Sequence, residues 1–130
     1  MTAYPLRILL VEEEPVLAEV TGFRLELLGH EVQTVSTGEM ALAALEQQLP
    51  DAILMNLTLP DMTGIELTNR LSNDERTSGV PVIVLSYESD LAQVERAHAA
   101  GAKDYVVVPY DPAVLEDKLE RLLDQQEEPV

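Results

Sequence analysis

The chain has no cysteine and no tryptophan, and only 4% of its residues are aromatic. Without cysteine there is no disulfide framework, no thiolate zinc site and no cysteine nucleophile. Cations are scarce as well. Eight Lys and Arg stand against 24 Asp and Glu, a formal net charge of −16. Phosphate binding needs clustered cations, so no direct nucleic-acid partner is expected, and no membrane surface either. No apolar run exceeds six residues, far short of a membrane span. The opening MTAYPLRILLVEEEP has no basic region before a long apolar stretch, so no signal peptide is expected and the cytoplasm is the expected location.

What is present fits one domain. At 130 residues, 46% apolar and 25% charged, the composition is that of a globular protein able to bury one core. The expected unit is residues 1–130, with a core over about 6–123 and a polar tail at 124–130 that frays. The charge of −16 reads first as solubility. Its sharper reading is a metal site or a basic partner surface.

Five short apolar runs read as strands: Leu6–Val11, Val32–Val35, Ala52–Met55, Val82–Leu85 and Tyr105–Val108. Continuous apolar runs suit strands covered on both faces, hence a parallel sheet. The second run alternates, as an edge strand with one wetter face does. Between the runs lie helical stripes. Val16, Val20, Phe23 and Leu27 form the first; Ala41, Ala44 and Leu45 the second; Leu67 and Leu71 the third; Leu91 and Val94 the fourth; Leu115, Leu119 and Leu122 the last. Each stripe is expected to face the core.

The punctuation agrees. Thr63-Gly-Ile-Glu66 has the form of a capping box, and Asp111-Pro112 that of an N-cap followed by proline at the first helical position. Gly29 and Gly101 fall where a left-handed residue ends a helix. The result is a flavodoxin-like (βα)5 fold, a doubly wound parallel sheet in the order 2-1-3-4-5. Chemistry in such a sheet sits beyond the carboxyl ends of the strands. The residues there are Glu12–Glu14, Asn56–Thr58, Ser86–Tyr87 and Val108–Pro109.

At those positions the chain resembles the receiver domain of two-component response regulators. The likeness runs from about Leu6 to Leu123 and is carried by ILLVEEEP (Ile8–Pro15), PDAILMNLTLPDMTGIEL (Pro50–Leu67), PVIVLSYES (Pro81–Ser89) and AGAKDYVVVPYDP (Ala100–Pro112). The resemblance implies a domain that takes a phosphoryl group from a histidine kinase, or from a phosphotransfer protein, onto an aspartate ending the third strand. It implies two acids after the first strand holding Mg2+, a Ser or Thr after the fourth strand and a Lys before a proline after the fifth. It also implies an aromatic on the fifth strand that changes rotamer.

The chain departs from that pattern. The acceptor position is Asn56, and an amide is not a carboxylate nucleophile. The lysine position is Val108, which offers neither charge nor donor. The acidic pair is Glu12 and Glu13, where aspartate predominates, so weak Mg2+ binding is the most that is expected, and no cofactor is required. Ser86 keeps the hydroxyl position, as a relic bonding loop backbone or as a kinase target. Tyr105 keeps the aromatic, packed against the fourth helix or acting as the switch. Thr58, Tyr87 and Pro109 adjoin the pocket, with Tyr87 crowding its mouth. The resemblance also implies a cis Val108–Pro109 bond.

Lys103 does not replace the lost lysine. It stands at the far end of the fifth strand, roughly 16 Å from Val108 at ~3.3 Å per residue. His30 and His98 read as surface residues. There is no phosphate-binding glycine loop, and the chain is not expected to be an enzyme. Three functions remain open. The first is a pseudo-receiver: a protein–protein interaction module for signalling proteins, a histidine kinase or an output domain among them. It would dimerise or bind through the face of the fourth helix, fifth strand and last helix, with Arg96, Lys103, Asp104, Asp117 and Lys118. The second is a phosphorelay receiver with an altered acceptor that still engages a histidine kinase. The third is a small-ligand binder at the same crevice.

Overall fold

The computed structural model describes residues 5–127, with side chains through residue 122. Strands and helices alternate: β1 (Arg7–Val11), α1 (Pro15–Leu27), β2 (Glu31–Val35), α2 (Gly38–Gln47), β3 (Ala52–Asn56), α3 (Gly64–Ser72), β4 (Val82–Ser86), α4 (Leu91–Ala100), β5 (Asp104–Val107) and α5 (Pro112–Glu127). All strand pairings are parallel, in the order β2-β1-β3-β4-β5. This is the flavodoxin-like (βα)5 sheet that the alternating pattern predicts. Each strand falls within one residue of its predicted limits, and Val108 lies just past the end of β5.

The continuous apolar strands are buried on both faces, as a doubly wound sheet requires. On one face Ile8, Leu10, Leu54, Ile83 and Val106 pack with Leu25 of α1 and with Leu115, Leu119 and Leu122 of α5. On the other, Leu9, Val11, Ile53 and Met55 meet Ala41 and Leu45 of α2 and Leu67 and Leu71 of α3. A smaller cluster joins Val84 and Tyr105 to Ala97 of α4. At the β2 edge only Val35 is buried, the wet edge its alternating sequence predicts.

The helix signals act as read. Thr63 Oγ1 accepts from the Glu66 amide at 3.0 Å, and Asp111 Oδ1 accepts from the Ala113 amide at 2.9 Å. Gly29 and Gly101 take φ of 96° and 121°, the left-handed region that glycine enters without a Cβ penalty. The last helix continues through residue 127, so four residues of the expected tail prolong it. Residues 128–130 lie outside the described residues.

Three expectations are corrected. The apolar stripe of α1 does not face the core: Val16 is 66% exposed, Phe23 51% and Leu27 73%, with Val20 exposed between them. The buried residues of α1 are Thr21, Gly22 and Leu25. Small side chains at 21 and 22 let the helix lie close on the sheet; a Cβ at Gly22 would sit 3.9 Å from Thr34 Oγ1, in van der Waals contact. Backbone proximity to the sheet, not side-chain size, decides which face is covered. In α4, Leu91 is 68% exposed, and Ala97 and Ala100 are buried instead. Finally, His30 is buried, not superficial, because its Nδ1 accepts the Leu6 amide at 3.2 Å across the β1–β2 entry. His98 is exposed, as expected.

Candidate functional site

Parallel register brings the predicted site residues to one end of the sheet. Val11 pairs with Met55, Asn56 with Leu85, and Ser86 with Val107. Glu12, Asn56 and Ser86 therefore stand together at the strand ends, and Val108 follows beside them.

The centre of the site is an amide–carboxylate pair. Asn56 Nδ2 donates to both oxygens of Glu12, each at 3.0 Å. Asn56 Oδ1 accepts the Thr58 amide at 3.0 Å, which fixes the orientation of the amide group. Glu12 is buried and also accepts the Glu14 amide at 3.1 Å. Burial pushes the Glu12 carboxyl above its ordinary value; the hydrogen bonds from Glu14 and Asn56 pull the other way, and the nearby Glu14 charge adds to the rise.

The other two acids do different work. Glu14 is the N-cap of α1, accepting the Val16 amide at 3.2 Å and the Leu17 amide at 2.7 Å. Glu13 is exposed. The donor set is poor for Mg2+, with Glu13 the one acid of the three whose carboxylate is not already engaged. Mg2+ asks for near-octahedral oxygen donors with carboxylates free to reach it. Here both Glu12 oxygens already accept from an amide, Glu14 is committed to a helix, and position 56 presents N–H groups. Among the described residues no group of three His, Cys, Asp or Glu is arranged to hold a metal.

Ser86 is buried, and its Oγ accepts the Glu88 amide at 3.0 Å, a bond to loop backbone. Tyr105 packs with Ala97 and Val94 of α4, and its hydroxyl donates to the Glu88 carbonyl at 2.8 Å. One loop is thus tied at residue 88 from two sides. Val108 is buried in the α1–α5 core cluster, its amide donating to the Ser86 carbonyl at 2.7 Å, and the Val108–Pro109 bond is cis. Tyr87 is 62% exposed and lines a cavity of about 370 Å³ with Val16, Val20, Arg24, Val108, Pro109 and Tyr110. Thr58 is exposed on the loop after β3 and lines a separate hollow with Arg96.

Sequence reading missed three supports. Gly64 lets α3 start against the site: a Cβ there would come within 2.5 Å of the Asn56 carbonyl oxygen and 2.8 Å of Leu57 Cα. Its only signal was its place inside the capping box. Asp61 reaches across to α2, accepting the Gly38 and Glu39 amides at 2.9 Å each, which hold its carboxyl below the ordinary range. Arg24 lies 5.7 Å from the ring centre of Tyr110, a cation–π contact invisible at 86 positions' remove (110 − 24). Lys118 turns from the site to Asp104, bonding both carboxylate oxygens at 2.8 and 2.9 Å.

Comparison with known proteins places this geometry. Residues 8–120 match the family model described as the response regulator receiver domain. The DNA-binding response regulator MtrA of Mycolicibacterium smegmatis is 36% identical over 124 residues, 95% of this chain and 53% of its own length. The chain spans about half the length of the curated relatives it matches first. Among solved structures, the receiver domain of a signal transduction histidine kinase from Syntrophus aciditrophicus superposes with a TM-score of 0.87 at 31% identity, covering 95% of this chain and 94% of that one. The receiver domain of the sensor histidine kinase PA1611 from Pseudomonas aeruginosa PAO1 has a magnesium ion coordinated in its active-site cleft. It superposes with a TM-score of 0.79 at 34% identity over 92% of this chain and 95% of that one.

Proposed function

This chain belongs to the response regulator receiver domain family, and from that premise we propose that it is a pseudo-receiver, a cytoplasmic interaction module that signals without accepting phosphate on aspartate. The observation that carries the proposal is the Asn56–Glu12 pair. An aspartyl phosphate needs a carboxylate nucleophile, a divalent cation beside it and a counter-charge for the phosphoryl oxygens. Position 56 supplies an amide that donates toward Glu12. Val108, in the place of a lysine, is packed into core. Ser86 and Tyr105 retain their types, yet both are engaged with the same loop residue, Glu88.

The function left to such a domain is binding, with no turnover of its own. Its partners are signalling proteins, a histidine kinase or an output domain among them. On the face of α4, β5 and α5 two charge pairs form within the chain, Asp104 with Lys118 and Asp117 with Arg121.

The test is incubation with Mg2+ and a small-molecule phosphodonor, read by intact mass. The parent chain is expected to keep its mass. A stoichiometric gain of one phosphoryl group (about 80 Da) that hydroxylamine discharges would refute the proposal. The paired change Asn56→Asp with Val108→Lys restores nucleophile and cation and is expected to take up the group, with Asn56→Asp alone the poorer acceptor.

A further inference from the structure

Beside the candidate site, the loop after β3 and the start of α4 line a hollow of about 330 Å³. That is the lower end of the range for small-ligand clefts, roughly 300–1,000 Å³. Its chemistry is divided. Leu57, Leu59 and Ile65 give an apolar patch, Arg96 brings a cation and Glu88 an anion. Gln93 and Arg96 are three residues apart on α4, so they share one face of the helix, about one turn apart.

The polar groups of the hollow keep bonding capacity. The chain has eight Lys and Arg against 24 acids, yet the Arg96 guanidinium bonds no carboxylate among the described residues. Thr58 spends its amide on Asn56 Oδ1 and leaves its hydroxyl to the hollow. Glu88 accepts from Gln93 Nε2 at 2.8 Å through Oε2 alone. Gln93 Oε1 is buried without a hydrogen-bond partner, a costly position for an acceptor.

From this division we propose that the hollow binds a free apolar α-amino acid of the leucine class. Its carboxylate meets the Arg96 guanidinium in a two-pronged bond, with the Thr58 hydroxyl beside it. Its ammonium meets the Glu88 carboxylate and Gln93 Oε1. The last torsion of a glutamine side chain is broad, and turning it brings that oxygen to the ammonium. The ligand's side chain covers Leu57, Leu59 and Ile65. Charge selects a zwitterion. A chain of −16 repels a fatty acid or a phosphate at long range, and a simple amine leaves Arg96 unused. An amino acid brings both charges and no net charge.

Such a ligand lies against residues tied to the candidate site. The Thr58 amide holds Asn56 Oδ1, the Glu88 amide holds Ser86 Oγ, and the Glu88 carbonyl takes the Tyr105 hydroxyl. Binding thus reaches Asn56 and Tyr105 through one residue each. The inference extends the pseudo-receiver proposal by supplying a small-molecule signal in place of a phosphoryl group. The two fail separately, because phosphoryl uptake in the mass assay would sink that proposal and leave the amino acid's affinity as measured.

The probe is L-leucine added to the full chain, followed by calorimetry and by amide and side-chain chemical shifts. Three analogues each lack one part: isocaproate the ammonium, isoamylamine the carboxylate, glycine the side chain. Leucine is expected to saturate the chain below about 10 mM. It is expected to shift residues 57–65, 88, 93 and 96, with smaller shifts at Asn56 and Tyr105. Each analogue is expected to bind about tenfold more weakly or worse. Arg96→Gln and Glu88→Gln, both at exposed positions, are expected to weaken leucine about tenfold with thermal unfolding unchanged. Absence of saturable binding, indifference to Arg96→Gln, or shifts centred away from the hollow would overturn the inference. So would equal binding of isocaproate, which would mean that Glu88 and Gln93 Oε1 take no part.

Discussion

Replacing Asn56 by Asp tests the central pair most directly. In the parent, the Asn56 amide nitrogen donates to Glu12 from 3.0 Å to each carboxylate oxygen. Aspartate puts a second carboxylate there. With charge centres about 4 Å apart and an effective dielectric of about 20, the repulsion is about 4 kcal/mol. Loss of the charge-assisted hydrogen bonds adds about 1.5–3 kcal/mol. The sum is not reached, because the pair escapes by taking up a proton. Protonating a glutamate of ordinary pKa at pH 7 costs about 3.7 kcal/mol, from 1.36 kcal/mol per unit. Glu12 already sits above the ordinary range, so its proton costs less. The expected loss at pH 7 is therefore about 3 kcal/mol, a fall of about 12 °C in Tm at about 4 °C per kcal/mol for this size.

The pH and metal dependence follow with definite signs. A carboxyl whose folded pKa is raised contributes stability below its ordinary range and loses it as pH rises through the raised value. The gap between Asn56→Asp and parent should thus close in acid and widen toward neutrality. Mg2+ should narrow the gap at pH 7, because a cation between two carboxylates binds only the folded variant. The parent should not respond to Mg2+. Thermal unfolding in EDTA and in Mg2+, at acid and neutral pH, reads all of this. A variant within about 1 kcal/mol of the parent in EDTA at pH 7 would refute the reasoning, and so would a parent that Mg2+ stabilises equally.

Three further outcomes are expected. Burial holds the His30 imidazole below its ordinary pKa, against the pull of Glu116, so its contribution is present above about pH 6.5 and lost as pH falls. His30→Gln should flatten that part of the stability–pH curve measured by urea unfolding, and an unchanged slope would exclude His30 as its source. Tyr105→Phe removes the donor to the Glu88 carbonyl and should cost about 1 kcal/mol with an unchanged m-value; no loss would mean that the hydroxyl is equally well served by water. Gly64→Ala drives a methyl into the Asn56 carbonyl and should cost about 1–3 kcal/mol, read from the urea midpoint, with neutrality counting against the close approach.

The strands were legible because ILLV, VIVL and their like have no alternative to burial on both faces. The sheet order and the site's location followed from the same alternation with helices. Asn56 and Val108 were legible as chemical departures, since identity alone decides whether a side chain can be a nucleophile or a cation. Their present partners were not. Nothing in the one-dimensional pattern says that Asn56 aims its N–H groups at Glu12, or that Val108 joins Leu115 and Leu119 in the core. The α1 stripe shows the sharper limit. A helix with two apolar stripes has two possible inner faces, and hydrophobicity favours the larger residues. Thr21 and Gly22 won because a thin face approaches the sheet more closely. His30 was misplaced for a related reason: its ring replaces a missing backbone acceptor for Leu6, a pairing across 24 residues.

The amide lying across Glu12 also bears on time. A phosphorylated switch carries its own clock, the lifetime of a covalent bond, and stays on after the encounter that set it. On the pseudo-receiver proposal, the domain stores nothing between encounters. Its signal lasts as long as the complex lasts, so its memory is a dissociation rate, and its duration is written in the partner's surface.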